Sequence, residues 1–262
     1  MTPPIVLTLA GFDPGGGAGV LADAKAIHAH GGYAVAVITA QTVQNTRGVF
    51  QVRPEPADLV AAQLDALWDD LRPQAVKIGM LGSADLAEVA LARLVDFDGP
   101  VVVDPVLRSS SGHPLLDDVD GRYRALLRRA TLITPNLPEA ARILGKNLRS
   151  AAALCDELVK MGETPCLLKG GHGEGDRLED WLCRPGEAPR RFSHARLSTR
   201  HTHGTGCALS SAIATRLAHG EPLETAVETA INWLQRRLAS TGWSLGQGSG
   251  PIDLLGQKDF SR

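Results

Sequence analysis

The sequence predicts a three-layer α/β sandwich in which a mostly parallel central sheet is covered by helices on both faces. Short apolar runs rich in β-branched residues alternate with longer amphipathic runs, an order typical of right-handed βαβ units. The length of 262 residues fits one large domain spanning 1–262 better than two small ones. Glycine-rich and charged motifs follow the apolar runs, which is where open parallel sheets bind their ligands.

The predicted elements run in a regular order along the chain. We predict strands at Ile5–Leu9, Ala34–Thr39, Ala75–Ile78, Val101–Val103, Leu132–Ile133 and Cys166–Lys169. We predict helices between them at Val20–His30, Asp58–Leu71, Ala84–Leu94, Gly121–Arg129 and Ser150–Met161. A hairpin of Leu178–Leu182 with Arg190–Phe192 follows, and two helices near Cys207–His219 and Leu223–Leu238 come last. Gly220 and Pro222, between these two helices, are ordinary stop and start signals.

Composition and charge exclude two classes of partner. Hydrophobic residues make up 44% and charged residues 21% of the chain, as in an ordinary globular protein. The formal net charge is -2 and no long basic run is present, which argues against nucleic acid as the main partner. No apolar stretch approaches the roughly 18 residues that a membrane span needs. The N-terminal segment has the character of a first strand, since it lacks the charged and apolar regions of a signal peptide.

The four cysteines, Cys155, Cys166, Cys183 and Cys207, are widely spaced. They form no C-x-x-C pair, so we do not expect a closed zinc site. A chain of this size does not depend on disulfides for its stability, which favours the reducing cytosol as its location.

The strongest local motif is THGTGCALSSAIA, residues 202–214, in which a Gly-Thr-Gly turn enters a helix. The backbone N–H groups of Thr205, Gly206 and Cys207 and the positive end of the helix dipole make a cradle for phosphate oxygens. The helix start lowers the pKa of a thiol, so a partly ionised Cys207 is a candidate base for a substrate hydroxyl. His203 could be a base too. The alternatives are a plain buried thiol for Cys207 and a structural hydrogen-bonding role for His203.

Polar side chains follow the other predicted strands. AGFDPGGGAG, residues 10–19, is a dense glycine loop, and Asp23 lies one turn into the next helix. Asp104 ends a strand in VVVDPV, where a carboxylate suits magnesium. Asn136 and Glu139 in ITPNLPEA could reach the same metal and phosphates, although Glu139 also suits a helix N-terminus. Lys169 in LLKGGHG is a candidate phosphate ligand or an exposed lysine.

Taken together and in order, these motifs resemble the hydroxymethylpyrimidine/phosphomethylpyrimidine kinases of the ribokinase-like superfamily, from about residue 5 to residue 252. The matching pieces are AGFDPGGGAG, TVQNTRGV, KIGML, VVVDPV, SSSGHPLL, ITPNLPEA, LLKGGH and HGTGC. HGTGC discriminates best, because most sugar kinases of the superfamily have Asp in place of the Cys. The resemblance implies a ribokinase-like fold, MgATP, and two successive phosphorylations that lead to the pyrimidine diphosphate of thiamine synthesis.

The resemblance also implies roles for particular residues. Magnesium would be governed by Asp104 and Glu139, and the family suggests a homodimer. The residues implied for the pyrimidine pocket are Gly11, Asp23, Gln44, Met80 and Val106; those for the anion hole are Gly204, Thr205, Gly206 and Cys207, with Cys207 as base; those for the nucleotide are Asn136, Lys169 and Thr199. An amide such as that of Gln44 offers both a donor and an acceptor to an aminopyrimidine edge.

Two other functions are compatible with the sequence. Pyridoxal or pyridoxine kinase acts on a similar flat heteroaromatic ring that bears a hydroxymethyl group. A degenerate kinase that only binds a pyrimidine is the second alternative. It is motivated by Ile231, where the family commonly has Lys, and by a tail, GQGSGPI, that lacks the usual His.

Overall fold

The computed structural model describes residues 2–108, 112, 115, 116, 119, 121–146, 150–170 and 175–256. Its strands are β1 (Ile5–Phe12), β2 (Tyr33–Asn45), β3 (Gly48–Pro54), β4 (Ala75–Ile78), β5 (Val101–Val103), β6 (Leu132–Ile133), β7 (Cys166–Leu168), β8 (Arg177–Cys183) and β9 (Arg190–Ala195). Its helices are α1 (Gly19–Ala29), α2 (Ala57–Asp70), α3 (Ala84–Arg93), α4 (Gly121–Arg129), α5 (Leu137–Leu144), α6 (Ala151–Gly162), α7 (Thr205–Ala218) and α8 (Leu223–Ser240).

The described strands form one sheet in the order β3-β2-β1-β4-β5-β6-β7-β8-β9. Strands β2, β1, β4, β5, β6 and β7 pair in parallel, whereas β3, β8 and β9 join antiparallel at the two edges. The chain moves from β1 to β2 on one side and later returns to β4 on the other. The carboxyl ends of β1 and β4 therefore form the point at which the strand order reverses, and such points leave a crevice for ligands.

Helices cover both faces of the sheet, which confirms the predicted three-layer arrangement. One apolar cluster packs α2 to α6 against the sheet through side chains such as Leu64, Leu86 and Leu126. The other packs α1, α7 and α8 on the opposite face through side chains such as Ile27 and Ile213. No helix in the described part of the chain is long and apolar enough to cross a membrane.

Most predicted elements match the observed ones within one or two residues, and the larger differences have a physical cause. Strand β2 continues to Asn45 and pairs there with β3, which the sequence did not predict. This part of β2 alternates exposed and half-buried residues because it projects beyond the two helical layers as a two-stranded ribbon. Helix α5 was predicted only at its start, where Asn136 caps it.

Two of the cysteines are not free thiols. Cys155 in α6 and Cys183 at the end of β8 form a disulfide. The sequence had predicted only that a chain of this size does not depend on disulfides for its stability. Cys166 and Cys207 are free. The sequence hid this pair because its members lie 28 residues apart and meet only when α6 packs beside β8.

Reduction of the disulfide is expected to lower the free energy of unfolding by about 3 to 4 kcal/mol, because it releases a constraint on the unfolded chain. Urea unfolding with and without a phosphine reductant measures this change. A Cys155→Ser variant should match the reduced parent and should not respond to reductant. Four reactive thiols, rather than two, in the denatured but unreduced protein would contradict the pairing.

Candidate active site

A cavity of about 750 Å³ opens at the carboxyl ends of the parallel strands. Residues that follow β1, β5, β6 and β7 line it, together with the first turn of α7 and the tip of the β2–β3 ribbon. Most of the residues implied by the resemblance lie on its wall: Gly11, Gln44, Met80, Asp104, Val106, Asn136, Glu139, Lys169, Thr199, Gly204, Thr205, Gly206 and Cys207. The topology thus brings together positions that are up to 196 residues apart in the chain.

The turn before α7 has the backbone geometry that an anion cradle requires. Gly204 is the N-cap and has φ +80°, a left-handed conformation that favours glycine. A side chain at Gly204 would overlap the carbonyl oxygen of Gly17, so the turn packs directly on the glycine loop. At Gly206, a Cβ would lie 3.1 Å from Lys169 Nζ and 3.3 Å from Asp104 Oδ2. The first turn of α7 therefore lies against the charged end of the cavity. The N–H of Thr205 donates to the carbonyl of Thr202 at 3.5 Å, and the N–H groups of Gly206 and Cys207 remain for a ligand.

Asp13 organises the glycine loop, and sequence analysis missed it. Its carboxylate accepts the backbone N–H groups of Gly15 at 2.8 Å, Gly17 at 3.1 Å and Ala18 at 2.9 Å. The side chain is 3% exposed, so these bonds replace water that the carboxylate has lost. An Asp directly before Pro-Gly-Gly-Gly is the one available signal, since short acidic side chains commonly bond the backbone of a following turn.

The same carboxylate also binds two side chains from distant elements. His203 Nε2 lies 2.8 Å from Asp13 Oδ2, and the amide of Gln44 is near enough to lower the pKa of the same carboxylate. Burial by itself would raise the pKa of Asp13, but the bonds from His203 and Gln44 hold the pKa at about 2. Asp13 is therefore ionised at neutral pH, and His203 has the structural role that sequence analysis weighed against catalysis.

Two carboxylates and one lysine form the charged end of the cavity. Asp104 Oδ1 accepts hydrogen bonds from Lys169 Nζ at 2.7 Å and from the Thr134 hydroxyl at 3.1 Å. Burial raises the pKa of Glu139 to about 7, with Asp104 adding to the rise and Lys169 opposing it. Asn136 and Glu139 also form a capping box on α5, in which each side chain accepts the backbone N–H of the other residue. Glu139 therefore caps helix α5 and also lines the cavity, as the two sequence-based interpretations suggested.

Cys207 lines the cavity as expected, but its protonation state differs from the expectation. Burial is the main cause that raises the pKa of the Cys207 thiol to about 11; Lys77 opposes the rise and Asp104 adds to it. The helix start was expected to lower the pKa of this thiol, but burial and a nearby carboxylate raise the pKa by more. At neutral pH the group is a thiol rather than the partly ionised base that the sequence suggested.

Asp23, which was predicted for the pyrimidine pocket, does not line the cavity. Its carboxylate is fully buried and accepts hydrogen bonds from Thr8 at 2.6 Å, Lys77 at 2.7 Å and Ser211 at 2.8 Å. These partners come from β1, β4 and α7, so Asp23 joins the sheet to the helix that carries the anion cradle. Helix α1 turns this face of its first turns toward the interior of the protein, and a contact of Asp23 with a pyrimidine stays a prediction.

Gly11, Met80 and Thr199 are further predicted residues that line the cavity. Gly11 lies against Met80, since a Cβ at Gly11 would come within 2.6 Å of the Met80 methyl carbon. Thr199 uses its hydroxyl to accept the backbone N–H of His201 at 3.1 Å. Ile231 contributes to an apolar wall that also includes Leu234. Parts of the SSSGHPLL and LLKGGH motifs, residues 109–111, 113–114 and 171–172, lie outside the described residues.

Comparisons with known proteins agree with this geometry. The family model described as phosphomethylpyrimidine kinase matches residues 13–253. The hydroxymethylpyrimidine/phosphomethylpyrimidine kinase of Streptomyces coelicolor is 42% identical over 261 residues, which cover 97% of this chain and 95% of that protein. The thiamine biosynthesis multifunctional protein ThiED of Corynebacterium efficiens is 41% identical over 95% of this chain. This chain spans only 35% of that longer relative.

A solved structure supports the fold. The pyridoxal kinase from Staphylococcus aureus, in complex with AMP-PCP and pyridoxal, superposes with a TM-score of 0.86 at 27% sequence identity. The match covers 98% of this chain and 95% of that one. The ribokinase-like three-layer fold implied by the sequence is thereby confirmed.

The Asp13→Asn variant is expected to be about 2 kcal/mol less stable than the parent at pH 7, because a lowered pKa is a stabilisation of the folded state. The folded pKa of about 2 lies below the ordinary value of 3.8. The stabilisation is therefore complete above about pH 4 and is lost as the pH falls toward 2. Urea unfolding at pH 7 and pH 3 should show a difference between variant and parent that shrinks at the lower pH.

An Asp69→Asn variant is the control, because Asp69 is exposed on α2. It should unfold like the parent at both pH values. If Asp13→Asn also matched the parent at pH 7, the role of Asp13 in holding the loop would be refuted.

Proposed function

This chain belongs to the phosphomethylpyrimidine kinase family, and from that membership we propose that it transfers the γ-phosphoryl group of ATP to the alcohol of 4-amino-5-hydroxymethyl-2-methylpyrimidine. A second transfer then converts the monophosphate to the diphosphate used in thiamine synthesis. The observation that supports this best is the juxtaposition of the α7 anion cradle with Lys169 and Asp104 at one end of the cavity. Gln44, Met80 and Val106 line the same cavity and are the proposed pyrimidine ligands.

Each half of the site has a separate task in the transfer. The alcohol oxygen forms a bond to the γ-phosphorus, the bond from that phosphorus to the oxygen of ADP breaks, and the alcohol loses its proton. The N–H groups of Thr205, Gly206 and Cys207 and the ammonium group of Lys169 stabilise the negative charge on the transferring group. Because Cys207 is a thiol at neutral pH, it accepts the proton of the alcohol as it gives up its own S–H proton to solvent, and it is a thiol again after the transfer.

The carboxylates of Asp104 and Glu139 suit a magnesium ion. Magnesium is bound in kinases by one or two carboxylates together with substrate phosphates. The raised pKa of Glu139, caused by burial and by Asp104, indicates that this corner accommodates additional positive charge. When bound with ATP, the ion would neutralise phosphate charge. Asn136 and Thr199 are the proposed polar contacts to the nucleotide, and the amide nitrogen of Asn136 is the part of its side chain that the helix cap leaves for this purpose.

Pyridoxal kinase activity is a second candidate, because the S. aureus pyridoxal kinase has the same fold over nearly the whole chain. The curated relatives favour the pyrimidine, since the S. coelicolor enzyme is more similar in sequence, at 42% against 27% identity. Mass spectrometry of the products formed from ATP with each substrate, combined with kcat/KM for both, decides between the two. Failure to phosphorylate the pyrimidine at any concentration would refute the proposed function.

The resemblance to the hydroxymethylpyrimidine/phosphomethylpyrimidine kinases also supports a homodimer. Val43 and Phe50 on the β2–β3 ribbon are large apolar residues that are 55% and 61% exposed. A second subunit that covered them would remove this apolar surface from water.

The Cys207→Ala variant is expected to lose at least about 10²-fold in kcat, since it lacks the thiol that passes the proton of the alcohol on to solvent. Its dissociation constant for the pyrimidine, measured by calorimetry, should stay close to that of the parent. Cys166→Ala serves as the control, because Cys166 is the other free thiol and is buried in β7. A Cys207→Ala enzyme as fast as the parent would remove Cys207 from the mechanism and leave the kinase activity standing.

The Glu139→Gln variant is expected to need roughly tenfold or more Mg²⁺ for its half-maximal rate. Metal binds the ionised carboxylate, and the pKa of Glu139 is about 7. The apparent magnesium affinity of the parent should therefore rise between pH 6 and pH 8, and that of the variant should rise less. Magnesium titrations of the rate at these pH values test this, with Glu88→Gln on the exposed face of α3 as control. Equal magnesium dependence in variant and parent would exclude Glu139 from the metal site.

A further inference from the structure

We propose that Thr46 is a positioning residue for substrate recognition. Its hydroxyl fastens the tip of the β2–β3 ribbon to the segment 246–250 that follows α8, and so holds Gln44 in place for the pyrimidine. The proposal rests on the proposed function in one respect, since it takes Gln44 to be a substrate ligand. Thr46 lies within TVQNTRGV, but no role was predicted for it, and its partners lie some 200 residues away in the chain.

One hydroxyl oxygen makes the central contact. Thr46 Oγ1 accepts the backbone N–H of Gln247 at 3.1 Å and that of Gly248 at 3.2 Å. Arg47, the next residue of the turn, donates to the side-chain carbonyl of Gln247. Asn45 shapes the turn from the other side, because its side chain accepts the backbone N–H of Arg47 at 2.9 Å.

The tail is built to approach Thr46 closely. Gly246 has φ +70°, and a Cβ on it would overlap the hydroxyl of Thr46. A Cβ on Gly248 would overlap the carbonyl oxygen of the same residue. Two glycines in GQGSG therefore allow backbone to lie directly against the ribbon, which larger residues would prevent.

The other side of the tail is attached to the anion cradle. Arg200 donates to the carbonyl of Gly246 at 2.6 Å, and Gly250 donates its N–H to the carbonyl of Arg200 at 2.9 Å. His203, directly before Gly204, donates its N–H to the carbonyl of Gly250 at 3.3 Å. The tail thus connects the ribbon tip with the turn that begins α7.

The ribbon needs this support, because its tip is an isolated two-stranded hairpin. In the described part of the sheet β3 is an edge strand, and it pairs with β2 alone. A two-stranded hairpin in water is marginally stable by itself. Thr42 tethers the base of the ribbon by donating to the carbonyl of Phe12 at 2.8 Å. Beyond Thr42, the Thr46 contacts hold the tip, and the amide of Gln44 lies beside Asp13.

These contacts define what Gln44 can offer a ligand. Its amide lies beside the ionised Asp13 and lines the cavity, and an amide carries both N–H donors and a carbonyl acceptor. A donor and an acceptor side by side complement the amino group and ring nitrogen of an aminopyrimidine. If the ribbon tip moves freely before binding, ordering it costs affinity for the pyrimidine but has no direct effect on the phosphoryl transfer.

The test uses Thr46→Val, which keeps the shape of the side chain and removes the hydroxyl. We expect KM for the pyrimidine to rise about tenfold, as for the loss of one or two hydrogen bonds, while KM for ATP and kcat stay close to the parent values. Thr46→Ser keeps the hydroxyl and should restore the pyrimidine KM. Thr131→Val is the matched control, because the Thr131 hydroxyl accepts the N–H of Val101 at 3.0 Å at the opposite end of the sheet.

Hydrogen exchange gives a readout that does not depend on the substrate. In Thr46→Val the amides of Gln247 and Gly248 should exchange faster than in the parent, and in Thr46→Ser they should not. Unchanged exchange of these amides, or an unchanged pyrimidine KM, would overturn the proposal. So would equal losses for ATP and pyrimidine, because they would indicate general destabilisation. If the parent enzyme phosphorylated no pyrimidine, the proposed function would fail, and faster exchange would show only that the contact exists.

Discussion

The carboxylate of Asp13 is the point on which the geometry of the site depends. Its four hydrogen-bond partners come from the glycine loop and from His203 beside the anion cradle, and Gln44 on the ribbon lowers its pKa as well. These three segments belong to distant parts of the chain, and a single buried charge holds them at fixed distances from one another. Burial by itself would raise the pKa of Asp13, but its hydrogen bonds outweigh that effect and lower the pKa to about 2. The carboxylate is therefore charged at neutral pH.

A second buried charge fixes the helix behind the anion cradle. Asp23 and Lys77 form an ion pair that is fully removed from water, and the hydroxyl of Ser211 completes the set one helical turn after Cys207. Buried ion pairs add little net stability but are costly to break, so they select one arrangement of the elements that carry them. Here that arrangement is the position of α7 relative to β1 and β4, and with it the direction of the first-turn N–H groups.

The charges that face the cavity are arranged differently. Burial raises the pKa of Glu139 to about 7, Asp104 adds to the rise, and Lys169, which pairs with Asp104, offsets only part of it. A cation that enters this corner with a ligand would favour the ionised form of Glu139. Thiol Cys207 lies beside it without adding charge of its own at neutral pH. The rigid buried charges thus hold the frame, while the less satisfied ones are left for chemistry.

The sequence by itself determined the layered fold and most of the wall of the site, because both depend on local patterns. Apolar periodicity located the parallel strands, and the Gly-Thr-Gly turn located the anion cradle at Gly204. Only the tertiary structure decided that Asp23 is a buried ion-pair partner, that Cys207 is a thiol, and that Asp13 joins three segments. The protonation and partners of a charged side chain depend on desolvation and on neighbours far away in the chain, and residue order does not encode those distances locally.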